Sequence, residues 1–322
     1  MSTVVTPVRR APDSQAVVLM IVLCAIWGMQ QVAIKTANAA LPPMLQAGLR
    51  STIAAVLLLG WARARGTPLF RGDGTFAAGL LAGVLFAAEF VFIFLGLTMT
   101  SASRMAVFLY TAPCFTALGL HWFTPGETLR RQQWVGIAIS FAGIALAFAD
   151  GFTHVGSAVD SHARLVGLTG DALGVAGGAA WGATTVVVRT STLARASASK
   201  TLFYQLAVSA VVLLALAGAT GEWRVRDVTP VAIAALGYQA VAVAFFSYLV
   251  WFWLLTRYAA AKLAVFSFMT PLFGITFGVL LLGDSFSGRF VGAAALVLAG
   301  IALVNAPARP RGLGRRINDV HD

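Results

Sequence analysis

The sequence predicts an all-α polytopic membrane protein, with ten transmembrane helices forming two inverted five-helix repeats around a central cavity. Its 322 residues are 59% hydrophobic and 11% charged, whereas ordinary soluble domains carry about 25% charged residues. Apolar stretches near the length that crosses a bilayer, about 20 residues, recur along most of the chain. A transmembrane β-barrel would need alternating segments of about 10 residues, and these are missing from the sequence.

Two repeated segments predict a duplicated unit. Residues 24–28 (CAIWG) are echoed by residues 178–182 (GAAWG) at an offset of 154. Residues 106–113 (AVFLYTAP) are echoed by residues 264–271 (AVFSFMTP) at an offset of 158. Internal similarity at nearly one long offset indicates two copies of one structural unit.

Each copy contains five apolar runs. We expect the copies over residues 1–155 and 156–322, integrated in one membrane domain, with a polar loop at 150–167 joining them. The expected spans are 16–37, 44–62, 76–98, 102–123 and 131–149, then 168–190, 200–218, 230–253, 260–282 and 288–305. The first run is not a signal peptide, because it is longer than the roughly 7–15 apolar residues of such a segment and recurs mid-chain.

Basic residues predict the orientation. With the N-terminus in the cytoplasm, sixteen of the 23 Lys and Arg residues lie in cytoplasmic segments and seven on the other side or at outer span ends. The positive-inside rule therefore places both termini in the cytoplasm. Because the charge is spread over short loops and tails instead of one soluble face, nucleic-acid binding is not expected.

An odd number of spans per copy makes the repeat inverted. In proteins with inverted repeats the substrate site lies near the midplane where the halves meet, and the halves rock to give alternating access. This architecture favours a transporter over a channel or a membrane-embedded enzyme.

Glu89 and Arg50 are ionisable residues inside expected spans, and such residues are expensive to bury. At 1.5 Å per residue, Glu89 lies about 13 Å and Arg50 about 9 Å from the same end of the bundle. The two side chains are therefore expected to form an ion pair. Its role is either a substrate or proton site or a structural link between spans two and three.

Trp27 and Trp181 lie well inside their spans, so an interfacial position does not explain them. Each precedes a glycine, Gly28 or Gly182, which allows close helix packing. Trp27 shares a helical face with two amides; this face is either a cavity wall or a packing surface. These amides are Gln30 and Gln31.

Pro113 and Pro271 are expected to kink spans four and nine and free a carbonyl. A bend that shapes or gates the cavity is one interpretation, and helix packing is the other. Further candidates for the cavity wall surround Glu89 or lie on spans four and eight. They are Phe86, Phe90, Tyr110, Tyr238 and Gln239.

Basic residues at span ends are interpreted as snorkelling to the headgroups. They are the matched pairs Lys35 with Arg189 and Arg104 with Lys262. Cys24 and Cys114 are interpreted as small core residues.

The sequence contains no pattern typical of an enzyme. It has no zinc-site spacing, no phosphate-binding loop and no nucleophile elbow. We expect no catalytic residue, no metal, no cofactor and no ATP hydrolysis.

The paired Trp-Gly motifs, the matched prolines and the dipeptides Gly126-Glu127 and Gly283-Asp284 resemble the EamA-type exporters of the drug/metabolite transporter superfamily. The resemblance covers residues 16–305 and is greatest to the YddG-type aromatic amino acid exporters. It implies a basket-like bundle that exports aromatic and other neutral amino acids. The four-span multidrug members use a glutamate in span one, whereas this chain has its acid, Glu89, on span three.

We therefore expect a bacterial inner-membrane exporter of small metabolites, mainly amino acids including aromatic ones, that acts as a monomer by alternating access. Two alternatives remain open from the residues. One is a proton-coupled exporter of drugs or other metabolites, and the other is a membrane scaffold without a solute path.

Overall fold

The computed structural model describes residues 13–125, 127–152, 158–258, 263, 265–285 and 287–306. Several sequence-based expectations lie outside these residues. They are the cytoplasmic lead before position 13, Gly126, the copy boundary at 155/156, Lys262 and the basic C-terminal tail.

The described chain is helical throughout. Its first part contains α1 (Ser14–Ala37), α2 (Pro43–Ala64), α3 (Phe76–Met99), α4 (Ala102–Leu109), α5 (Ala112–Phe123) and α6 (Arg131–Phe152). Its second part contains α7 (Ala158–Thr190), α8 (Ala198–Ala219), α9 (Pro230–Gly237), a π-helix (Tyr238–Ser247), α10 (Tyr248–Arg257), α11 (Met269–Leu282) and α12 (Gly288–Asn305). Short 3₁₀ segments precede α8 and α11.

The protein is a polytopic membrane protein. Within the described residues, nine helices are long and apolar enough to cross a bilayer, and the shorter apolar helix Phe266–Leu282 adds to them. Large apolar side chains remain exposed on the outside of the bundle, among them Val56 at 62% and Val211 at 70%. In water this surface would be unfavourable, so the exposed side chains fit a lipid environment.

Side-chain caps and prolines begin several helices. The side chain of Asp13 accepts a hydrogen bond from the backbone N–H of Ala16 at 2.9 Å, and Ser197 caps α8 in the same manner. These oxygens satisfy amide groups that have no partner within the helix.

Pro113 and Pro271 lie in first turns, not within a continuous helix. The fourth apolar run is divided into α4 and α5 at Tyr110 and Thr111, and Pro113 follows at the start of α5. Pro271 is the third residue of α11, after the 3₁₀ segment Val265–Phe268. The expected kink in the middle of a helix is therefore wrong. Each proline lies in the first turn of its helix, where a backbone N–H would have no partner within the helix, so the missing N–H breaks no helical hydrogen bond.

The expected polar loop at 150–167 is also wrong. Helix α6 continues to Phe152 and α7 begins at Ala158, so Asp160, His162 and Arg164 lie on α7. The segment has no proline, and a helix can continue beyond the bilayer wherever water solvates its polar side chains.

Many of the helix contacts join early helices to late ones. Helix α6 packs along α12, α2 along α8, α3 along α7 and α8, α1 along α11, and α5 along α7. The largest buried apolar cluster includes Phe90, Phe94, Leu206 and Leu213, which come from α3 and α8. The two parts of the chain are thus interlocked in one bundle.

Gly28 and Gly182 each permit a close contact between two helices. A Cβ atom on Gly28 would lie 2.6 Å from Cβ of Phe273 and 2.8 Å from the backbone N of Gly274. A Cβ atom on Gly182 would lie 2.7 Å from Cβ of Phe115 and 3.0 Å from the backbone N of Thr116. The packing role predicted for these two glycines is present at both positions.

Candidate functional site

A cleft of about 470 Å³ enters the bundle between α5, α6, α7 and α12; we call it the Glu127 cleft. Its lining is mixed, with apolar side chains, hydroxyls and charged groups at the rim. The residues are Ala112, Pro113, Thr116, Ala117, Leu120, His121, Glu127, Thr128, Leu129, Gln133, Trp181, Thr185, Arg189, Val304 and Asn305.

Trp181 and Tyr110 meet at the cleft. Trp181 lines it, and its ring packs edge-on against the buried ring of Tyr110 with the centroids 5.4 Å apart. The division of the fourth span at Tyr110 places this ring beside α7. Two of the predicted cavity residues are therefore brought together, with Pro113 beside them in the lining.

The rim of the cleft carries an exposed ion pair. A guanidinium nitrogen of Arg189 lies 3.2 Å from a carboxylate oxygen of Glu127, and the two side chains are 53% and 45% exposed. An ion pair in water contributes about 0–1 kcal/mol, so this contact does little to close the rim.

The opposite end of the bundle is closed by a polar network around Asp171. The carboxylate of Asp171 is 1% exposed and accepts from Nε of Arg104 at 3.0 Å to each oxygen, with a further bond from Nη2. The hydroxyl of Thr100 donates to the same carboxylate at 2.7 Å. The guanidinium also lies over the ring of Phe290, 4.3 Å from its centroid.

Three further residues complete this network, which we call the Asp171 cluster. The ammonium of Lys35 donates to the carbonyl of Thr100 and interacts electrostatically with Asp284. Asp284 accepts from the hydroxyl of Ser103 at 2.8 Å and from its backbone N–H at 2.9 Å. The cluster consists of Lys35, Thr100, Ser103, Arg104, Asp171 and Asp284.

The Asp171 cluster and the Glu127 cleft lie at opposite ends of the same helices. On α7, Asp171 and Arg189 are separated by eighteen residues, or about 27 Å at 1.5 Å per residue. Within the described residues, a cleft that reaches solvent lies at one end of α7 and a buried polar network lies at the other; we call these the open end and the closed end.

The snorkelling interpretation is wrong for Lys35 and Arg104, since both bind protein groups within the cluster. Asp171 was missed as a candidate. The signal that could have found it is a carboxylate four residues into an expected span, because a buried charge needs a partner.

Arg50 and Glu89 do not form the expected ion pair among the described residues. Arg50 has no exposed surface, and its guanidinium lies over the ring of Phe90, 4.1 Å from the centroid. Glu89 is 6% exposed and interacts electrostatically with Arg50. An aromatic ring attracts the positive charge of the guanidinium, but this contact leaves the N–H groups without a hydrogen-bond acceptor among the residues that the structure describes.

Hydrogen-bonding groups in this part of the bundle remain without partners. All three guanidinium nitrogens of Arg50 and Oε2 of Glu89 have no hydrogen-bond partner within the described chain. The same holds there for both amide atoms of Gln239 and for Oε1 of Gln31. Native proteins leave few such groups buried.

Other candidates are committed to packing contacts. Nε1 of Trp27 donates to the hydroxyl of Ser247 at 2.8 Å. The hydroxyl of Tyr238 donates to the carbonyl of Ile26 at 2.9 Å. Phe86 lies edge-on to Phe90 with centroids 4.8 Å apart. Gln30 is 8% exposed on α1.

Comparison with known proteins supports a transporter. The EamA-like transporter family matches residues 14–149 and again residues 168–306. The uncharacterized transporter YvbV of Bacillus subtilis is 25% identical over 302 residues, covering 94% of this chain and 95% of the relative. A probable amino-acid metabolite efflux pump of Escherichia coli is 25% identical over 295 residues, covering 88% and 92%.

A solved crystal structure has the same fold. It aligns with a TM-score of 0.59 at 20% identity, covering 91% of this chain and 96% of the other. Because the family match spans most of the chain, in two segments, the chain belongs to the EamA-like transporter family.

Proposed function

We propose that this protein exports small metabolites, chiefly amino acids including aromatic ones, from the cytoplasm of a bacterial cell by alternating access. The observation that carries the proposal is the difference between the two ends of the bundle. The Glu127 cleft extends from the rim to Trp181, while the Asp171 cluster links helices through buried polar contacts at the opposite end.

The inverted repeat supports alternating access. Gly28 packs against α11 at Thr270, Phe273 and Gly274. Gly182 packs against α5 at Ala112, Phe115 and Thr116. Each residue of the second set precedes its equivalent in the first set by 158 positions. The same contact made twice in one chain is expected of two copies facing opposite ways. We count each interrupted span once: α4 with α5, α9 with α10, and the 3₁₀ segment with α11. On this count the described residues are expected to cross the membrane ten times.

The direction of transport follows from the orientation. The positive-inside rule puts both termini in the cytoplasm of a protein in the bacterial inner membrane. The end of α7 at Arg189 is then cytoplasmic, so the cleft opens inward, where an exporter loads its substrate. Lys35, which occupies the position equivalent to Arg189 in the first copy, is then on the periplasmic side.

Aromatic amino acids fit the interior. The ring of Trp181 lines the cleft and packs edge-on against the buried ring of Tyr110, and aromatic pairs are favourable beyond simple area burial. Two relatives named as amino-acid metabolite efflux pumps support the same class of substrate. We propose that the protein acts as a monomer.

The test is efflux from proteoliposomes loaded with phenylalanine, tryptophan, threonine, a sugar phosphate or a cationic dye. Each is measured with and without a proton gradient. Protein-dependent loss of the amino acids supports the proposal. Loss of the dye alone, and only with a gradient, identifies a proton-coupled drug exporter and overturns it.

Thiol labelling separates a transporter from a scaffold. In a background lacking Cys24 and Cys114, Thr185→Cys in the cleft is expected to react with a membrane-impermeant reagent from the cytoplasmic side. Ser103→Cys, which has no exposed surface, is expected to react from the periplasmic side only during turnover. If Ser103→Cys stays protected while substrate is leaving the vesicles, alternating access is wrong.

A further inference from the structure

We propose that Arg50 and Glu89 together recognise the zwitterion of the amino acid, with Arg50 binding the α-carboxylate and Glu89 the α-ammonium group. This inference rests on the proposed export of amino acids. It adds the residues that distinguish an amino acid from an amine or a carboxylic acid with the same side chain.

The position of Arg50 points to an anionic ligand. Its side chain has no exposed surface, yet none of its three guanidinium nitrogens has a hydrogen-bond partner within the described chain. The guanidinium carbon lies over the ring of Phe90, 4.1 Å from its centroid, a contact that uses none of the N–H groups as hydrogen-bond donors to a protein oxygen. The planar edge of the guanidinium is the part of arginine that binds a carboxylate through two parallel hydrogen bonds.

Glu89 provides the opposite charge nearby. One carboxylate oxygen is buried without a partner in the described chain, and the residue interacts electrostatically with Arg50 and with Tyr110 and Tyr248. A carboxylate with a free oxygen accepts hydrogen bonds from an ammonium group. Arg50 and Glu89 interact electrostatically but, within the part of the chain that the structure describes, form no direct ion pair. A site that binds both charged groups of one ligand requires this arrangement, because each protein group must remain available to the ligand.

The charge balance favours a zwitterion over either half of it. With Arg50 protonated and Glu89 ionised, as the proposed site requires when the ligand is bound, the two side chains have no net charge, and neither does an α-amino acid. An amine would pair Glu89 and leave the guanidinium unpaired, and a carboxylic acid would do the reverse. A buried charge without a partner is strongly unfavourable, and a site built for a polar group rejects an analogue that lacks it.

The aromatic side chains near this pair supply the other half of the recognition. Phe90 follows Glu89 directly and Phe86 precedes it by three residues, and the two rings pack together with their centroids 4.8 Å apart. The buried ring of Tyr110 interacts with Glu89 and contacts Trp181 at the cleft. Tyr110 thus links Trp181, which lines the cleft, to the charged pair, and we propose that a ligand entering at Trp181 passes this ring.

The experiment is competition against efflux of labelled phenylalanine from proteoliposomes. Three competitors share the same ring: unlabelled phenylalanine, 2-phenylethylamine and 3-phenylpropionate. We expect phenylalanine to inhibit at a concentration at least about tenfold lower than either analogue, because each analogue leaves one buried charge unpaired. This comparison uses the unchanged protein and does not depend on a variant folding.

Two variants assign the groups. Arg50→Gln is expected to reduce the advantage of phenylalanine over the amine, and Glu89→Gln its advantage over the carboxylic acid. Arg65→Gln, at an exposed position after α2, is the matched control and should leave both ratios unchanged. Melting curves of each purified variant check that it folds.

The outcomes separate this inference from the proposed function. Efflux of amino acids with equal inhibition by all three competitors would overturn the zwitterion site and leave amino acid export standing. Absence of amino acid efflux would overturn the export proposal itself, and binding of phenylalanine measured in detergent would then decide the zwitterion site separately. A variant pair that shifts both ratios equally would contradict the assignment of carboxylate to Arg50.

Discussion

The Asp171 cluster and the Glu127 cleft contain residues at matching positions of the two copies, but in opposite environments. Lys35 matches Arg189 at an offset of 154, and Asp284 matches Glu127 at an offset of 157. In the cluster, Lys35 and Asp284 bind protein groups. At the cleft, Arg189 and Glu127 are about half exposed. The same pair of charges is thus part of a closed end in one copy and of an open rim in the other.

This difference teaches that charge alone does not close an end of the bundle. Asp171 has no counterpart in the first copy, where position 17 is a valine. The closed end therefore has an additional buried carboxylate with its own arginine, and a buried pair depends far more on both partners than an exposed one. The predictions below test this contrast.

The largest effect is expected for Asp171→Ala. Removing the carboxylate leaves Arg104 without its partner in a region where it is 19% exposed, at a cost of about 3 kcal/mol in the free energy of unfolding. Glu127→Ala removes the exposed partner of Arg189 and should cost less than about 1 kcal/mol. Denaturant unfolding in detergent micelles measures both. Equal losses for the two variants would show that burial does not distinguish the ends.

Glycine substitutions come next. Gly28→Ala and Gly182→Ala should each cost about 1–3 kcal/mol, because the new Cβ atom overlaps a neighbouring helix. The two losses should be similar, since the contacts are matched in the repeat. Gly60→Ala is the control: nothing lies within 4 Å of its Cβ position, and alanine favours a helix. Thermal unfolding of the three variants would refute matched packing if only one of the first two lost stability.

The two tryptophans should separate transport from stability. Trp181→Ala widens the cleft and removes the ring that contacts Tyr110, so amino acid efflux should fall about tenfold, a loss of about 1.4 kcal/mol in transition-state stabilisation. Trp27→Ala instead removes the hydrogen bond to Ser247 and should mainly lower the melting temperature. Efflux rates and melting curves of both variants are required. If Trp27→Ala reduced efflux and Trp181→Ala only lowered the melting temperature, the solute path would lie at Trp27 and not at Trp181.

The smallest effect concerns a third contact, on the cleft side of the bundle. Lys200 is 3% exposed and donates to the carboxylate of Asp73 at 2.8 Å, and this hydrogen bond lowers the pKa of Asp73 to about 2. Because the pKa is lower in the folded protein than the ordinary value of 3.8, the contact stabilises the protein above about pH 4. The stabilisation is lost as the pH falls through about 2.

Asp73→Asn should therefore be less stable than the unchanged protein at pH 6, and the difference should shrink as the pH approaches 2. Melting temperatures of both proteins across this range provide the measurement. A difference that is independent of pH would mean that the ionised carboxylate is not responsible.

Much of the architecture was predictable because it depends on local patterns. The apolar runs predicted the helices, and the echoes around Trp27 and Trp181 identified the close contacts of Gly28 and Gly182. The family was recognisable from the same motifs. The N-terminal extension of α7, which carries His162, could not be predicted from the sequence, since the polar composition of that segment is equally compatible with a loop.

The interior was less predictable, because contacts between helices have no local signature. Arg50 and Glu89 were identified as a pair by depth alone, but depth does not reveal that the guanidinium lies over the ring of Phe90 and, among the described residues, forms no direct ion pair with Glu89. Tyr238 had the depth of a cavity residue, although its hydroxyl binds the backbone of α1. Asp171 was not considered among the candidates, and its sequence neighbours do not reveal that Thr100 and Arg104 bind its buried carboxylate.

The packing at Gly28 and Gly182 bears on the mechanics of the bundle. With no room for even a methyl group between them, α1 and α11 are held as one stiff lever, and α5 and α7 as another. Each lever takes one helix from either sequence repeat. Under the proposed alternating access, the units that tilt against each other would therefore not be the first and second halves of the chain. A protein cut between α6 and α7 and expressed as two fragments should therefore regain its motion only when both fragments assemble.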